Sequence, residues 1–305
     1  MPIHGWFPAC AGMTDFLNLM AVVAADPSEL RLIMARVALA QMVSSANVVE
    51  NLQQVEKLMI QAREDDAQLV LLPENFAFMG RHETDKLHIG EVYGQGPIQE
   101  KISQLAKQLG LWVVAGTMPL KGSGSKVRAS CLVYDEQGLC AARYDKIHLF
   151  DVSVSPQEAY CESATIERGH DLVVVDTPVG KIGLTVCYDL RFPELYQQLL
   201  IQGAQLFTVP SAFTAVTGLA HWEVLLRARA IENLSYVLAA NQGGHHENGR
   251  STYGHSMIIE PWGAVLAQQA DGIGVVTAEI DLQGLQHLRK TFPSVDHHVL
   301  NLKGN

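Results

Sequence analysis

In the segment KIGLTVCYDLRFPEL an apolar run leads straight into a thiol. After Cys187 come Asp189, Arg191 and Pro193, residues suited to a turn and a helix start, so the cysteine stands at a strand-to-helix elbow. A thiol there can point into a cleft, where helix-start amides and nearby cations would favour the thiolate, the form that attacks electrophilic carbon. The amide of the next residue, Tyr188, has the place that elbow nucleophiles use for an oxyanion. Alone, a free cysteine is more often an inert core residue. Two other segments add to it. LVLLPENF ends a buried strand at Pro73 and delivers the carboxylate of Glu74, and RYDKIHLFD sets Lys146 at another strand end, among Tyr144, Ile147, Leu149 and Phe150. Partial desolvation there would push the lysine pKa down. Nucleophile, base and cation therefore occupy three strand ends, which is the equipment of acyl transfer.

Three remote segments converge only if the intervening chain builds a layered scaffold. ARVALAQM reads as the first strand. Val48, Leu52, Val55, Met59 and Ala62 then form a helical stripe, and QLVLL follows as a second strand. A second stripe, Ile98, Ile102, Leu105 and Leu109, stops at Gly110 before the strand LWVVAGT. Hairpins are expected around Glu136-Gln137-Gly138 and around Pro178-Val179-Gly180. Helices between single strands, interrupted by hairpins, predict an α/β fold with a mixed sheet or two packed sheets and helices outside. Further stripes run through Leu195, Leu199 and Leu200 and through Trp222, Leu225, Leu226, Arg229 and Ala230.

Residues 1–33 lack amphipathic periodicity, and Phe16 to Ala25 is too short to span a bilayer and follows no Lys or Arg. They are expected to be a poorly ordered appendage to a single domain over 34–305. The 305 residues are 48% hydrophobic and 18% charged, which excludes disordered and low-complexity classes. Net charge is −10, the wrong sign for a nucleic-acid surface, and no membrane partner is expected. Five cysteines, an odd number without a CxxC, argue for reduced thiols and a cytoplasmic location. Cys131 and Cys140 are expected in the core, and Cys161 beside the cleft. The adjacent pairs His245-His246 and His297-His298 point side chains apart, and no HExxH or HxH pattern occurs, so no metal site is expected.

LLPENF around Glu74, YDKIHLFD around Lys146 and VCYDLRFPEL around Cys187 resemble, in order, the three signatures of the nitrilase superfamily, the carbon-nitrogen hydrolases. The spacings are 146 − 74 = 72 and 187 − 146 = 41. The resemblance spans roughly residues 35 to 300 and includes PSAFT and YGHSMIIEPWG. TGLAHWEVLLRARAIE, HHENGR and STYGHSM bring it nearest the Nit branch, and within that branch nearest the type whose family activity is hydrolysis of the amide of deaminated glutathione. The resemblance implies a four-layer α-β-β-α sandwich and a cysteine amidase working through a thioester. Cys187 would attack, Glu74 would move protons, Lys146 with the Tyr188 amide would hold the oxyanion, and Glu162 would be the second glutamate. It implies neither metal nor organic cofactor, a small-molecule amide substrate, and a homodimer formed through the helices after Pro193 and around Trp222. A substrate of that kind carries a carboxylate beside its 2-oxo group, for which Arg191, Arg250 and His245 are the candidate clamp. The alternatives are an ω-amidase acting on α-ketoglutaramate, another carbon-nitrogen hydrolase, or a catalytically silent interaction protein.

Overall fold

The computed structural model describes residues 34–155 and 158–299, and the expectation for residues 1–33 lies outside the described residues. The chain enters with β1 (Ala35–Gln41), α1 (Val48–Glu64), β2 (Leu69–Leu71), α2 (Pro97–Leu109) and β3 (Trp112–Lys121). Asn47 starts α1 by accepting hydrogen bonds from the Val49 and Glu50 amides. Pro97 opens α2, and Gly110, at φ 60°, closes it in the left-handed conformation expected of a terminating glycine.

The two expected hairpins are present as β4 (Val127–Tyr134) with β5 (Cys140–Asp145), and as β8 (Val174–Thr177) with β9 (Gly180–Leu184). Between them lies a ribbon of β6 (Asp151–Ser155) and β7 (Glu158–Cys161). The second half continues with α3 (Pro193–Ile201), β10 (Leu206–Thr208), α4 (Ala215–Asn233) and β11 (Tyr236–Ala239). A small ribbon of β12 (Gly243–His245) and β13 (Ser251–Tyr253) precedes β14 (Ser256–Ile259), β15 (Val265–Gln269), β16 (Gly274–Ile280) and α5 (Leu282–Thr291).

Two six-stranded mixed sheets result, ordered β16-β1-β2-β3-β4-β5 and β15-β14-β11-β10-β9-β8. Strand alternation sorts side chains into layers. Val37 and Leu39 of β1 enter the core shared with Ile182, Leu184 and Val237 of the second sheet. Their neighbours Ala38 and Ala40 pack instead with Leu52, Val55 and Met59 of α1 and Ile102 and Leu105 of α2. Leu195, Leu199, Trp222 and Leu226 bring α3 and α4 onto the shared core from the other side. The fold is therefore an α-β-β-α sandwich. Cys131 is buried as expected, but Cys140 is exposed, because it opens β5, the edge strand of the first sheet. No helix among the described residues is long and apolar enough to cross a membrane.

Strand direction explains the convergence. β1, β2 and β3 are parallel, and two antiparallel reversals return β5 to their direction, so the chain leaves β2 and β5 at one edge. In the second sheet β9, β10 and β11 are likewise parallel. A parallel bridge from Met42 to Gln242 then joins the carboxyl ends of β1 and β11, so both sheets open on one cleft, where α/β folds place ligands. Trp222 clamps this layer: it is fully buried, stands 5.0 Å from the Phe213 ring, and donates from Nε1 to the His255 carbonyl at 2.8 Å. Trp222→Ala should lower the unfolding free energy by about 3–5 kcal/mol in urea titrations. A loss below about 1 kcal/mol would show that α4 is not anchored there.

Candidate active site

Each strand end presents one polar side chain to the cleft. Glu74 follows β2 through Pro73, and the turn rests on β3 at Gly116, where a Cβ would stand 2.0 Å from the Pro73 carbonyl oxygen. β3 is irregular there, its pairing with β4 shifting between Ala115 and Met118, and Thr117 Oγ1 accepts from the Asn75 amide at 2.9 Å. Gln242 Nε2 donates to the Glu74 carbonyl at 3.0 Å. The Glu74 carboxylate, only 4% exposed, accepts the Ala212 amide at 2.8 Å on Oε2 and the Lys146 ammonium at 2.8 Å on Oε1.

Lys146 extends from the end of β5, its amide donating to the Ala129 carbonyl at 3.0 Å. Its Nζ bridges Glu74 and Glu162, reaching Glu162 Oε1 at 2.9 Å. Glu162 sits on the short turn after β7, and its Oε2 accepts the Phe150 amide at 2.7 Å. Cys187 opens a 3-10 turn, Cys187–Arg191, with φ at +48°. That left-handed conformation costs a non-glycine residue on the order of 1–2 kcal/mol and is held by the Cys187 amide donating to the Pro210 carbonyl at 3.0 Å. Tyr188 follows in the first turn, where amides have no intrahelical acceptor.

The charges settle differently from the sequence expectation. Burial alone would raise the Glu74 carboxyl, but the Lys146 charge and its hydrogen bond hold it below its ordinary value. Burial likewise works to lower Lys146, yet the charges of Glu162 and Glu74 hold the ammonium well above the usual lysine value, the opposite of the expected downward shift. The Cys187 thiol is pushed up to about 12, first by burial and then by the Glu74 charge, with Lys146 opposing. The resting state is thus thiol, carboxylate and ammonium, with no preformed thiolate. Glu74 and the thiol line the same cleft floor, close enough for the carboxylate charge to act on the thiol, so a base stands beside the proton.

The cleft above this floor measures about 960 Å³ out to its open mouth. Tyr188, Phe150, Phe213 and Tyr160 form apolar walls, and Arg250 lies at the side. The Arg250 guanidinium is 5.0 Å from the Tyr160 ring and donates from Nη2 to the Ala212 carbonyl, while its buried Nε has no partner among the described residues. Of the three candidate clamp residues only Arg250 lines the cleft. Arg191 does not line it: its guanidinium stacks on two wall residues, 5.2 Å from the Phe213 ring and 5.9 Å from the Tyr188 ring, and meets His221 Nδ1 at 3.3 Å. His245 is exposed, its Nδ1 within 2.7 Å of Ser251 Oγ. Sequence reasoning missed Ala212, which serves through its backbone alone, and Gly116, whose role is to have no side chain. Among the described residues no group of three or more His, Cys, Asp or Glu could hold a metal ion.

Two stacked sheets with a thiol, a carboxylate and an ammonium on one edge are the architecture of an amide-type hydrolase. The carbon-nitrogen hydrolase family model matches residues 36–290. Deaminated glutathione amidase of Yersinia enterocolitica is 43% identical over 267 residues, 87% of this chain and 93% of that protein. The human protein of the same name is 42% identical over 274 residues, 88% of this chain and 84% of that protein. Among solved structures the Caenorhabditis elegans NitFhit protein superposes with a TM-score of 0.82 at 39% identity, covering 87% of this chain and 65% of that one. The chain belongs to the carbon-nitrogen hydrolase family, hydrolases that act on carbon-nitrogen bonds other than peptide bonds.

Two outcomes test this geometry. A methyl at position 116 must displace Pro73 and with it Glu74, so Gly116→Ala should cut amide turnover by about 10²-fold. Turnover within threefold of wild type would refute the close packing of that turn. A carboxyl held low in the folded state stabilises the fold fully above its ordinary value of 4.5 and loses that contribution as pH falls through the folded value. The stability gap between wild type and Glu74→Gln, measured by urea unfolding, should therefore be widest near neutrality and narrow below pH 4.5. A gap that widens in acid would contradict an ionised, lysine-paired Glu74.

Proposed function

We propose that this protein cleaves the amide of deaminated glutathione by acyl transfer through Cys187. The supporting observation is the chain Glu162–Lys146–Glu74 beside the Cys187 thiol on the floor of a cleft flanked by Arg250. The names of the two relatives described above support the choice of substrate. Because the resting thiol is neutral and Glu74 ionised, proton transfer accompanies attack. The Cys187 sulfur bonds to the amide carbon while its proton passes to Glu74, and the oxygen takes up negative charge beside the Lys146 ammonium and the Tyr188 amide.

Collapse of the tetrahedral species breaks the carbon-nitrogen bond. Glu74 returns the proton to the leaving nitrogen, and a Cys-Gly dipeptide departs from a thioester on Cys187. Water then gives a proton to Glu74 and its oxygen to the carbonyl carbon. The sulfur leaves and regains its proton from Glu74, releasing a 2-oxo dicarboxylic acid. Glu162 keeps the ammonium aimed, since Lys146 can donate to both carboxylates only in this position. Arg250, whose side chain lines the cleft, is the group that grips the substrate carboxylate.

The protein would act as a homodimer in the cytoplasm. On α4 Leu219 is 79% and Val224 68% exposed, and on α3 Ile201 is 71% exposed, an unusual amount of apolar surface to leave in water on the outer helical layer.

Glu74→Gln should lower kcat by about 10²- to 10⁴-fold with the circular dichroism spectrum unchanged, and wild-type turnover in that variant would overturn the mechanism. On a substrate panel, deaminated glutathione should exceed α-ketoglutaramate in kcat/KM, and the reverse order would make the protein an ω-amidase. Arg250→Ala should lose at least about tenfold more kcat/KM on deaminated glutathione than on an uncharged aliphatic amide, the scale of one lost charged hydrogen bond. Equal losses would reject the clamp.

A further inference from the structure

Lys146 and Cys187 belong to different sheets, yet the proposed chemistry requires their separation to be held to a fraction of an ångström. Among the described residues no main-chain hydrogen bond links the segment around Lys146 directly to the elbow around Cys187: the Lys146 amide is taken by Ala129 and the Cys187 amide by Pro210. The link is a carboxylate. Asp189 lies two residues beyond Cys187, is 0% exposed, and sends its side chain back across the gap. Its Oδ2 accepts from the Val186 amide at 2.9 Å and from the Tyr144 hydroxyl at 2.7 Å. Its Oδ1 accepts from the His148 amide at 3.0 Å and meets His148 Nδ1 at 2.7 Å. Tyr144 and His148 stand two residues to either side of Lys146, so one anion grips both flanks of the lysine and the residue preceding the thiol.

Each partner is built for this grip. Burial first, and then the Asp189 charge, keep the Tyr144 hydroxyl protonated and donating. The His148 ring is fixed by stacking on Phe192 at 3.6 Å and 7°. All four contacts put a proton toward a carboxylate oxygen, once the imidazole carries its proton on Nδ1, as this acceptor dictates. A fully buried carboxylate is tolerated only where its acceptor capacity is met, and here that capacity spans two sheets.

We infer that Asp189 is a positioning residue that sets the distance and direction of Lys146 relative to Cys187. It acts through Tyr144, His148 and Val186 and does not touch substrate. The inference rests on the catalytic reading given above and adds to it what aligns the oxyanion cation with the nucleophile.

The test is kinetics on Asp189→Asn, which keeps the shape but turns one acceptor into a donor facing donors. The fraction of intact sites is counted by alkylation of Cys187 that substrate protects against; Cys140 and Cys161, both exposed, will label without such protection. Expected is a fall of about 10²-fold in kcat per titrated Cys187, with KM within threefold and the far-ultraviolet spectrum retained. A kcat per titrated site within threefold of wild type would reduce Asp189 to a fold-stabilising residue and overturn the inference. If Asp189→Asn does not fold, Tyr144→Phe decides, since it removes one grip on the Lys146 flank and leaves the carboxylate in place. A loss of about tenfold in kcat at constant KM supports positioning, and an unchanged kcat rejects it. Glu74→Gln and Cys187→Ala are measured in parallel. Activity surviving in those two would overturn the catalytic reading itself, whereas their silence beside a wild-type-like Asp189→Asn would overturn only the positioning role.

Discussion

Everything at this site depends on burying three charges together. Lys146 is 2% exposed and Glu74 4% exposed, so each would carry a desolvation penalty of several kcal/mol if left alone. The structure meets that cost by giving the single ammonium two carboxylates and giving each carboxylate a backbone amide, Ala212 for Glu74 and Phe150 for Glu162. The three-membered array carries one net negative charge. Burial first, and then the Glu74 charge, keep the adjoining thiol protonated, while the Lys146 charge keeps Glu74 ionised. The two carboxylates keep the lysine charged, where a buried lysine with one weak partner would tend to neutrality.

Much of the architecture was legible because each signal was local. Gly110 after a helical stripe, Glu136-Gln137-Gly138 between two apolar runs, and Pro73 and Pro193 at strand and helix boundaries are instructions that the chain reads within a few residues. The positions of Glu74, Lys146 and Cys187 at strand ends followed from the same cues. The electrostatic state of these residues was not legible. Lys146 is held charged by partners 72 and 16 residues away in sequence, and no pattern near RYDKIHLFD announces either. The cleft wall is similar: Arg191 lies in the motif yet stacks on the wall rings Tyr188 and Phe213 without lining the cleft, while Arg250, in a loop between ribbon strands, lines it and its guanidinium finds the Ala212 carbonyl and the Tyr160 ring.

Residues without reactive side chains matter as much as those with them. Gly116 lets the Pro73 turn lie against β3, and the peptide at Ala212 offers its amide to Glu74 and its carbonyl to Arg250. Asn241 and Gln242, which follow β11, reach the Phe213 amide and the Glu74 carbonyl, so the second sheet holds the carboxylate delivered by the first. The site is a property of the seam between sheets, and the four layers serve mainly to keep that seam from sliding.

The negative excess on the floor of the cleft also shapes the end of the cycle. In the proposed cycle hydrolysis leaves a carboxylic acid within reach of Glu74, itself ionised once the sulfur has taken its proton back, and the acid becomes a second anion when its own proton passes to water. Like charges so close repel, and the one ammonium beside the new carboxylate is already shared between two resident carboxylates. Eviction of the product is thus written into the same arrangement that prepares the nucleophile, and the emptied chamber returns by itself to the state that receives the next molecule.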